Sequence, residues 1–361
     1  MCAFVAAHAG AGTHPYKTED ICLKAVCKSK GDIVEAIKEL ENDFRTNCGF
    51  GSNLTFNGHV ECEAAFISSE DHVFGAVGVV SRLRNPIEIA AMVAKEQLCG
   101  DKKFVLPTVL VGLGAEDWAK KRGIELCDPA SLISKRSQQQ WREAREIVRN
   151  WENETMDTVG AVSYENGCCN AACSSGGIIL KAEGRLGHTI QVGGAIWADQ
   201  RDSKSIAIAL SGCGEYIAQT LLAKTLSESL LNWNCEEDVI LDKIKHVFNT
   251  AFLHSPYLQN RNERHILAGG LILFVDRGLI HIVLNHRIRL RNSNLAEYHL
   301  ILMKFNPNTE NGCAELISFH NTKELTFAFF GNETGMKYRS RSVSNDFIAH
   351  SFSLRDHINL C

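Results

Sequence analysis

An α+β protein, with strands mixed among layered helices, is expected from three features of the chain. Apolar runs of strand length occur at 3 to 8, 60 to 68 and 73 to 81. Ile33, Ile37, Leu40 and Phe44 recur every three or four residues, the spacing of one helical face. A dense stretch of small apolar residues opens at Thr158 and is folded back around Asn166-Gly167, a strong hairpin-turn pair.

Taken in order, the run 3 to 8 is a buried strand ending in His8-Ala9-Gly10-Ala11-Gly12, which reads as a glycine-rich turn. Helices are expected over 18 to 28, 31 to 42 and 86 to 98, with a further apolar run at 105 to 113. From 134 to 154 the chain turns polar, with three consecutive glutamines and only Trp141, Ala144 and Val148 as an apolar stripe. We therefore expect a flexible connector over 134 to 157. Strands at 158 to 163 and 168 to 173 follow, then a strand at 205 to 211, helices near 215 to 231 and 236 to 254, and strands at 268 to 275 and 279 to 284.

The 361 residues are 45% hydrophobic, enough for an enzyme-sized core without covalent staples. A formal net charge of -4, spread along the chain, argues against a nucleic-acid or membrane-surface binder. The fourteen cysteines fall mainly in apolar runs, as Cys48, Cys62, Cys173 and Cys213 do, and read as buried thiols in a reducing compartment. Their spacings miss those of zinc pairs, so no metal is expected. The apolar run 2 to 7 is too short for a secretion signal and no basic residue precedes it. No stretch reaches the ~18 apolar residues of a membrane span. An intracellular protein is expected.

The chemistry is concentrated at Asp157-Thr158-Val159-Gly160, where the polar connector meets a buried strand. A chain cut there keeps its core. Cleavage would make Thr158 an N-terminal residue carrying a hydroxyl and an α-amine. A free α-amine titrates near pH ~7.7 to 8.0, so it can act as base for its own hydroxyl. Ser174-Ser175-Gly176-Gly177 ends the second hairpin strand, which pairing brings back beside Thr158, so Ser175 is a candidate hydroxyl partner. Ser211-Gly212-Cys213-Gly214-Glu215 joins a strand to a helix and could present backbone amides to an oxyanion. Arg185, between Gly184 and Leu186-Gly187, could grip a carboxylate with two hydrogen bonds. Each of these also has a bland reading as a strand start, a turn or a surface cation.

Taken together, and in this order along the chain, the motifs resemble those of the type-2 asparaginase family of N-terminal-nucleophile hydrolases, and within it most resemble the threonine aspartases, or taspases. The likeness also includes Thr46-Asn47-Cys48-Gly49-Phe50-Gly51-Ser52-Asn53 and Phe74-Gly75-Ala76-Val77-Gly78, and extends to about residue 275. The resemblance implies a four-layer αββα sandwich that cuts itself into an α chain, 1 to 157, and a β chain, 158 to 361. These form one α/β heterodimer, which can pair again as a heterotetramer. It makes Thr158 the nucleophile, Ser175 its partner, Ser211 and Gly212 the oxyanion-side residues, Arg185 the carboxylate clamp and Asn47 an active-site amide. No cofactor is implied.

One departure bears on specificity. Family members acting on free asparagine or isoaspartyl peptides usually carry Asp directly after the Gly-Arg-Val-Gly motif, where it pairs with the substrate α-ammonium; here the residue is His188. This favours an endopeptidase that cuts after an internal aspartate. The taspase resemblance implies protein substrates such as trithorax-type methyltransferases and the transcription factor IIA precursor, in nucleus and cytoplasm, with neither nucleic acid nor membrane as partner. The rival readings are an asparaginase or isoaspartyl peptidase, a glycosylasparaginase and a catalytically inactive binding scaffold. Arg287, Arg289 and Arg291 alternate on what reads as a solvated strand face.

Overall fold

The computed structural model describes residues 4–12, 17–99, 104–147, 157–233, 239–259, 261, 266–277, 313–322, 324–331, 334–342 and 347–353. The chain begins with β1 (Phe4–Gly12), α1 (Thr18–Ser29) and α2 (Ile33–Glu41). Asp32 caps α2 by accepting from the Val34 and Glu35 amides, which satisfies two of the orphan donors of its first turn. Next come β2 (Cys62–Ser68), β3 (Phe74–Val80), α3 (Pro86–Cys99), β4 (Val109–Val111), α4 (Gly112–Lys120) and α5 (Lys135–Ile147). The second half holds β5 (Val159–Glu165), β6 (Cys168–Ser175), β7 (Ile196–Arg201), β8 (Lys204–Gly212), α6 (Gly214–Thr220), α7 (Leu222–Leu231) and α8 (Ile240–Val247). It ends with β9 (Ala268–Asp276), β10 (Cys313–His320), β11 (Glu324–Gly331), β12 (Thr334–Arg341) and β13 (Ile348–Ser353).

These strands form two sheets, ordered β12-β11-β1-β5-β6-β2-β3-β4 and β13-β10-β9-β8-β7. Strand side chains alternate between faces, and here both faces are apolar. On β1, Val5, Ala7 and Ala9 point to a core shared with Ile21, Ile37 and Leu40, whereas Phe4, Ala6 and Ala11 point to a core shared with the second sheet. Likewise Ala207 and Ala209 of β8 face the first sheet, while Ile206, Ile208 and Leu210 face Leu222, Leu226 and Ile244. Helices α1 to α3 cover the outer face of the larger sheet, and α7 and α8 cover that of the smaller. The result is the expected four-layer αββα sandwich. Small residues on the facing strands, many of them alanine, let the two sheets pack directly on one another.

The local expectations fare unevenly. The hairpin stands: Asn166 and Gly167, at φ 52° and 89°, make the two-residue loop between Glu165 and Cys168. The turn expected at His8 to Gly12 is instead the second half of β1, with a register shift between His8 and Ala11 and Gly10 at φ 112°. Pairing of β1 with its neighbours overrides the glycines' preference. The helix expected over 215 to 231 divides into α6 and α7 at Leu221, whose φ is 47°. The one expected to reach 254 ends in a π-helical turn, Phe248–Leu253.

The expected connector over 134 to 157 is, in its first half, the docked helix α5. Trp141 Nε1 donates to the Thr55 carbonyl at 2.9 Å, Ser137 Oγ to the Gly51 carbonyl at 3.2 Å, and Ala144 is fully buried. These contacts, with Arg136 also donating to the Phe44 and Arg45 carbonyls, hold a helix whose composition alone suggests mobility. The strand expected at 279 to 284, residues 148 to 156 and Arg287, Arg289 and Arg291 lie outside the described residues. Among the described residues, no helix is long and apolar enough to cross a membrane.

Candidate active site

Backbone register places the two hydroxyls. β5 pairs with β6 so that Val159 faces Ser174, and the next rung sets Thr158 opposite Ser175. Thr158 Oγ1 donates to Ser175 Oγ at 3.0 Å, and Ser175 Oγ also accepts the Gly177 amide at 3.0 Å. Both side chains are buried, so neither hydroxyl is free to rotate into bulk water. A hydroxyl held in this way by donation to a second oxygen keeps its lone pairs directed elsewhere, which is the arrangement a nucleophile needs.

One cleft gathers Asn47, Glu63, Asp157, Thr158, Ser175, Gly177, Ile178, Arg185, His188, Gly212 and Gly214. Of the residues singled out from sequence, Thr158, Ser175, Asn47, Arg185 and Gly212 therefore meet there. Asn47 has both ends of its amide engaged by protein: Oδ1 accepts the Asn53 amide and Nδ2 donates to the Gly177 carbonyl, each at 2.8 Å. The Gly176 amide donates to the Asn47 carbonyl at 2.8 Å, and a Cβ at Gly176 would come within 2.5 Å of Asn47 Oδ1. Asn47 thereby fixes the turn that carries Ser175. Asn53 is buried in the same loop, its Nδ2 donating to the Gly177 carbonyl at 2.9 Å.

Ser211 is fully buried, lies outside the cleft lining, and accepts the Ala11 amide on its Oγ at 3.1 Å. Gly212 does line the cleft. Its φ of 149° and its closeness to β9, where an added Cβ would come 2.3 Å from the Leu267 carbonyl oxygen, exclude any larger residue. Arg185, expected to be open for a substrate carboxylate, already holds one of this chain. Its Nε donates to Glu215 Oε1 at 2.8 Å and one terminal nitrogen donates to the same oxygen.

Beside Ser175 lies charge that sequence reasoning missed. Glu63, on β2 and opposite Ser175 in register, is buried and accepts the Gly187 amide on Oε2 at 2.9 Å. Burial pushes its carboxyl above the usual range, with Lys181, the Gly187 amide and Arg185 opposing. Lys181 is itself buried, donates to the Glu61 carbonyl at 2.5 Å, and is held below its ordinary value by that burial. The available signal was an acid inside the apolar strand Cys62–Ser68.

His188 is buried, and desolvation depresses its imidazole to about 4, with Arg185 adding to the effect and the Leu210 carbonyl opposing it. The ring is neutral at neutral pH. Nε2 lies 3.4 Å from the Leu210 carbonyl oxygen, and Nδ1 packs so closely on Gly214 that a Cβ there would come within 2.7 Å. The position directly after Gly184-Arg185-Leu186-Gly187 therefore carries no negative charge. Among the described residues, no His, Cys, Asp and Glu cluster could hold a metal ion. The ten cysteines with described side chains are free thiols, and Cys22, Cys48, Cys62, Cys169 and Cys173 are buried.

Comparison with known proteins gives the family. Residues 21–236 match the family model Asparaginase_2, described as asparaginase. A plant-type L-asparaginase of Thermococcus kodakarensis is 31% identical over 209 residues, covering 54% of this chain and 64% of its own. The chain thus spans just under two thirds of the length of that relative. An isoaspartyl peptidase/L-asparaginase of Danio rerio is 31% identical over 244 residues, covering 62% of this chain and 74% of its own. One of Rattus norvegicus is 31% identical over 263 residues, covering 70% and 71%. With the sandwich, the strand-initial threonine and this match over more than half its length, the chain belongs to the Asparaginase_2 family of hydrolytic N-terminal-nucleophile enzymes.

Proposed function

We propose that this protein is an autoproteolytic threonine hydrolase that cuts between Asp157 and Thr158 and then cleaves other polypeptides after aspartate. The observation that carries the reading is that Asp157 and Thr158 line a single cleft, with Thr158 Oγ1 already hydrogen-bonded to Ser175 Oγ. In the first step Thr158 Oγ1 bonds to the Asp157 carbonyl carbon while its proton passes towards Ser175. The carbon–nitrogen bond then breaks, the nitrogen takes a proton, and an ester remains. Water opens that ester to leave the Asp157 carboxylate and a free Thr158 amine, which serves as base for the same hydroxyl on later substrates. On this reading Gly212, which lines the cleft, serves on the oxyanion side, and Arg185 supplies the positive charge for a substrate aspartate.

The preference for an internal residue over a free amino acid rests on His188. A buried neutral imidazole carries no negative charge to form an ion pair with an α-ammonium, so a free amino acid loses the charged contact that the asparaginase-type motif provides with Asp, whereas an internal residue needs none. The matching relatives favour a second reading: several are named L-asparaginase or isoaspartyl peptidase/L-asparaginase. On the first reading the enzyme is an α/β heterodimer of 1 to 157 and 158 to 361, acting as threonine aspartases do on nuclear regulators of the trithorax-type methyltransferase and transcription factor IIA kind.

One experiment tests both. After incubation at neutral pH, the purified protein is expected to run as two fragments, one of them beginning Thr-Val-Gly-Ala, and to cut an internal-Asp peptide much faster than it releases ammonia from asparagine. An intact chain sinks the self-cleavage, and comparable rates on the two substrates transfer the assignment to the asparaginase reading.

A further inference from the structure

The Arg185–Glu215 pair divides one guanidinium into two working edges. An arginine has five N–H donors on a planar fork, so a carboxylate can take the side formed by Nε and one terminal nitrogen while the end formed by the two terminal nitrogens stays open. Here Glu215 Oε1 takes the side edge, accepting from Nε at 2.8 Å and from Nη2. Nη1 makes no hydrogen bond to any described residue and points at the cleft, since a Cβ on Gly177 would stand 3.0 Å from it. The Gly177 amide is bonded to Ser175 Oγ, so the open end of the fork lies beside the nucleophile's partner.

The burial of the two partners is unequal. Side-chain exposure is 16% for Arg185 and 47% for Glu215, so the cation belongs to the cleft wall and the carboxylate braces it from the solvent side. Glu215 sits in the first turn of α6, immediately after Gly212-Cys213-Gly214, so the brace is anchored on the segment that presents Gly212 to the cleft. A long, unbraced arginine would sample many rotamers and lose orientation each time it met a ligand.

The geometry points to Glu215 as a positioning residue that holds the Arg185 fork end-on to the cleft, ready for the two oxygens of an aspartate carboxylate. This rests on the reading of the cleft as an aspartate site, and it adds the residue that sets the clamp's orientation and ties it to the Gly212 turn. Because Glu215 is an acceptor here, the uncharged Gln at the same position keeps the brace, whereas Ala removes it.

The test is calorimetric binding of succinate, a minimal carboxylate probe, to the purified wild-type protein, Glu215→Gln, Glu215→Ala and Arg185→Ala. Expected are a loss of affinity of about tenfold in Glu215→Ala, recovery to within about threefold of wild type in Glu215→Gln, and no binding in Arg185→Ala. In peptide assays the Glu215→Ala loss should appear in KM far more than in kcat. Undiminished or tighter succinate binding by Glu215→Ala overturns the inference, because Glu215 would then compete with the ligand for Arg185; so does a wild-type protein that binds no succinate. N-terminal sequencing of the same samples reports separately on self-cleavage, so failure of the proposed reaction and failure of the brace are read from different measurements.

Discussion

The two walls of the cleft are built on different physics. Thr158, Ser175 and Asn47 are placed by backbone register and by neutral hydrogen bonds among strand ends and a short loop. The side formed by Arg185 and His188, with Lys181 and Glu215 behind it, is an arrangement of ionisable groups around the segment from 181 to 188 and the first turn of α6. Strand pairing is insensitive to pH and salt, and it suits a hydroxyl whose distance to its partner must be constant. Charge on a loop is adjustable by single substitutions, and it suits the choice of substrate. On the proposed reading, the reactive geometry lies on one wall and the selectivity on the other.

That division can be broken experimentally, and the largest effect should come from the nucleophile wall. Thr158→Ala should leave one chain near 39.9 kDa and lower peptide hydrolysis by more than about a thousandfold, as gel electrophoresis and initial rates would show. Ser175→Ala removes the oxygen that orients Thr158 and should slow both self-cleavage and turnover by about a hundredfold, with circular dichroism unchanged. Full activity in that variant would detach the hydroxyl pair from catalysis.

On the charged wall, His188→Asp should shift preference rather than rate. Ammonia release from asparagine should rise relative to cleavage at internal aspartate by about tenfold, measured as the ratio of the two kcat/KM values. A ratio that does not move would mean that this position does not choose the substrate.

The smallest effect concerns a carboxyl beneath the nucleophile wall. Glu41 is fully buried and accepts from Ser174 Oγ at 2.7 Å, the Ile87 amide at 3.0 Å and Asn85 at 3.1 Å. Desolvation nonetheless raises it from 4.5 to about 8, the three donors opposing. A folded value above the unfolded one means that the native state binds the extra proton between them. Its stabilising contribution is complete below about 4.5 and is lost as pH rises through about 8. Glu41→Gln should flatten the fall of Tm over that window by a few degrees, and an identical slope in both proteins would show that Glu41 is ionised throughout.

Much of the nucleophile wall was legible in the chain. Asn166-Gly167 between alternating small residues specifies a two-residue hairpin, and a two-residue hairpin specifies which residue faces which, so local pattern alone suffices to pair Thr158 with Ser175. Little of the charged wall could be read that way. Glu63 and Lys181 stand far apart in sequence, as do Arg185 and Glu215, and their proximity depends on how the segment from 181 to 188 lies against β2 and the first turn of α6. Arg185 could be named as a clamp, but the carboxylate already on it could not.

Local pattern determined the elements whose signals agree with one another: the capped helix α2, the hairpin, the apolar strands of both sheets and the place of Asp157-Thr158 at the start of β5. Tertiary packing decided the rest. It drew His8 to Gly12 into β1 because two neighbouring strands offered partners to its backbone, and it seated α5 through Trp141 and Ala144. It also kept His188 neutral, because removing an imidazole from water is a property of its surroundings and is written nowhere in its neighbours along the chain.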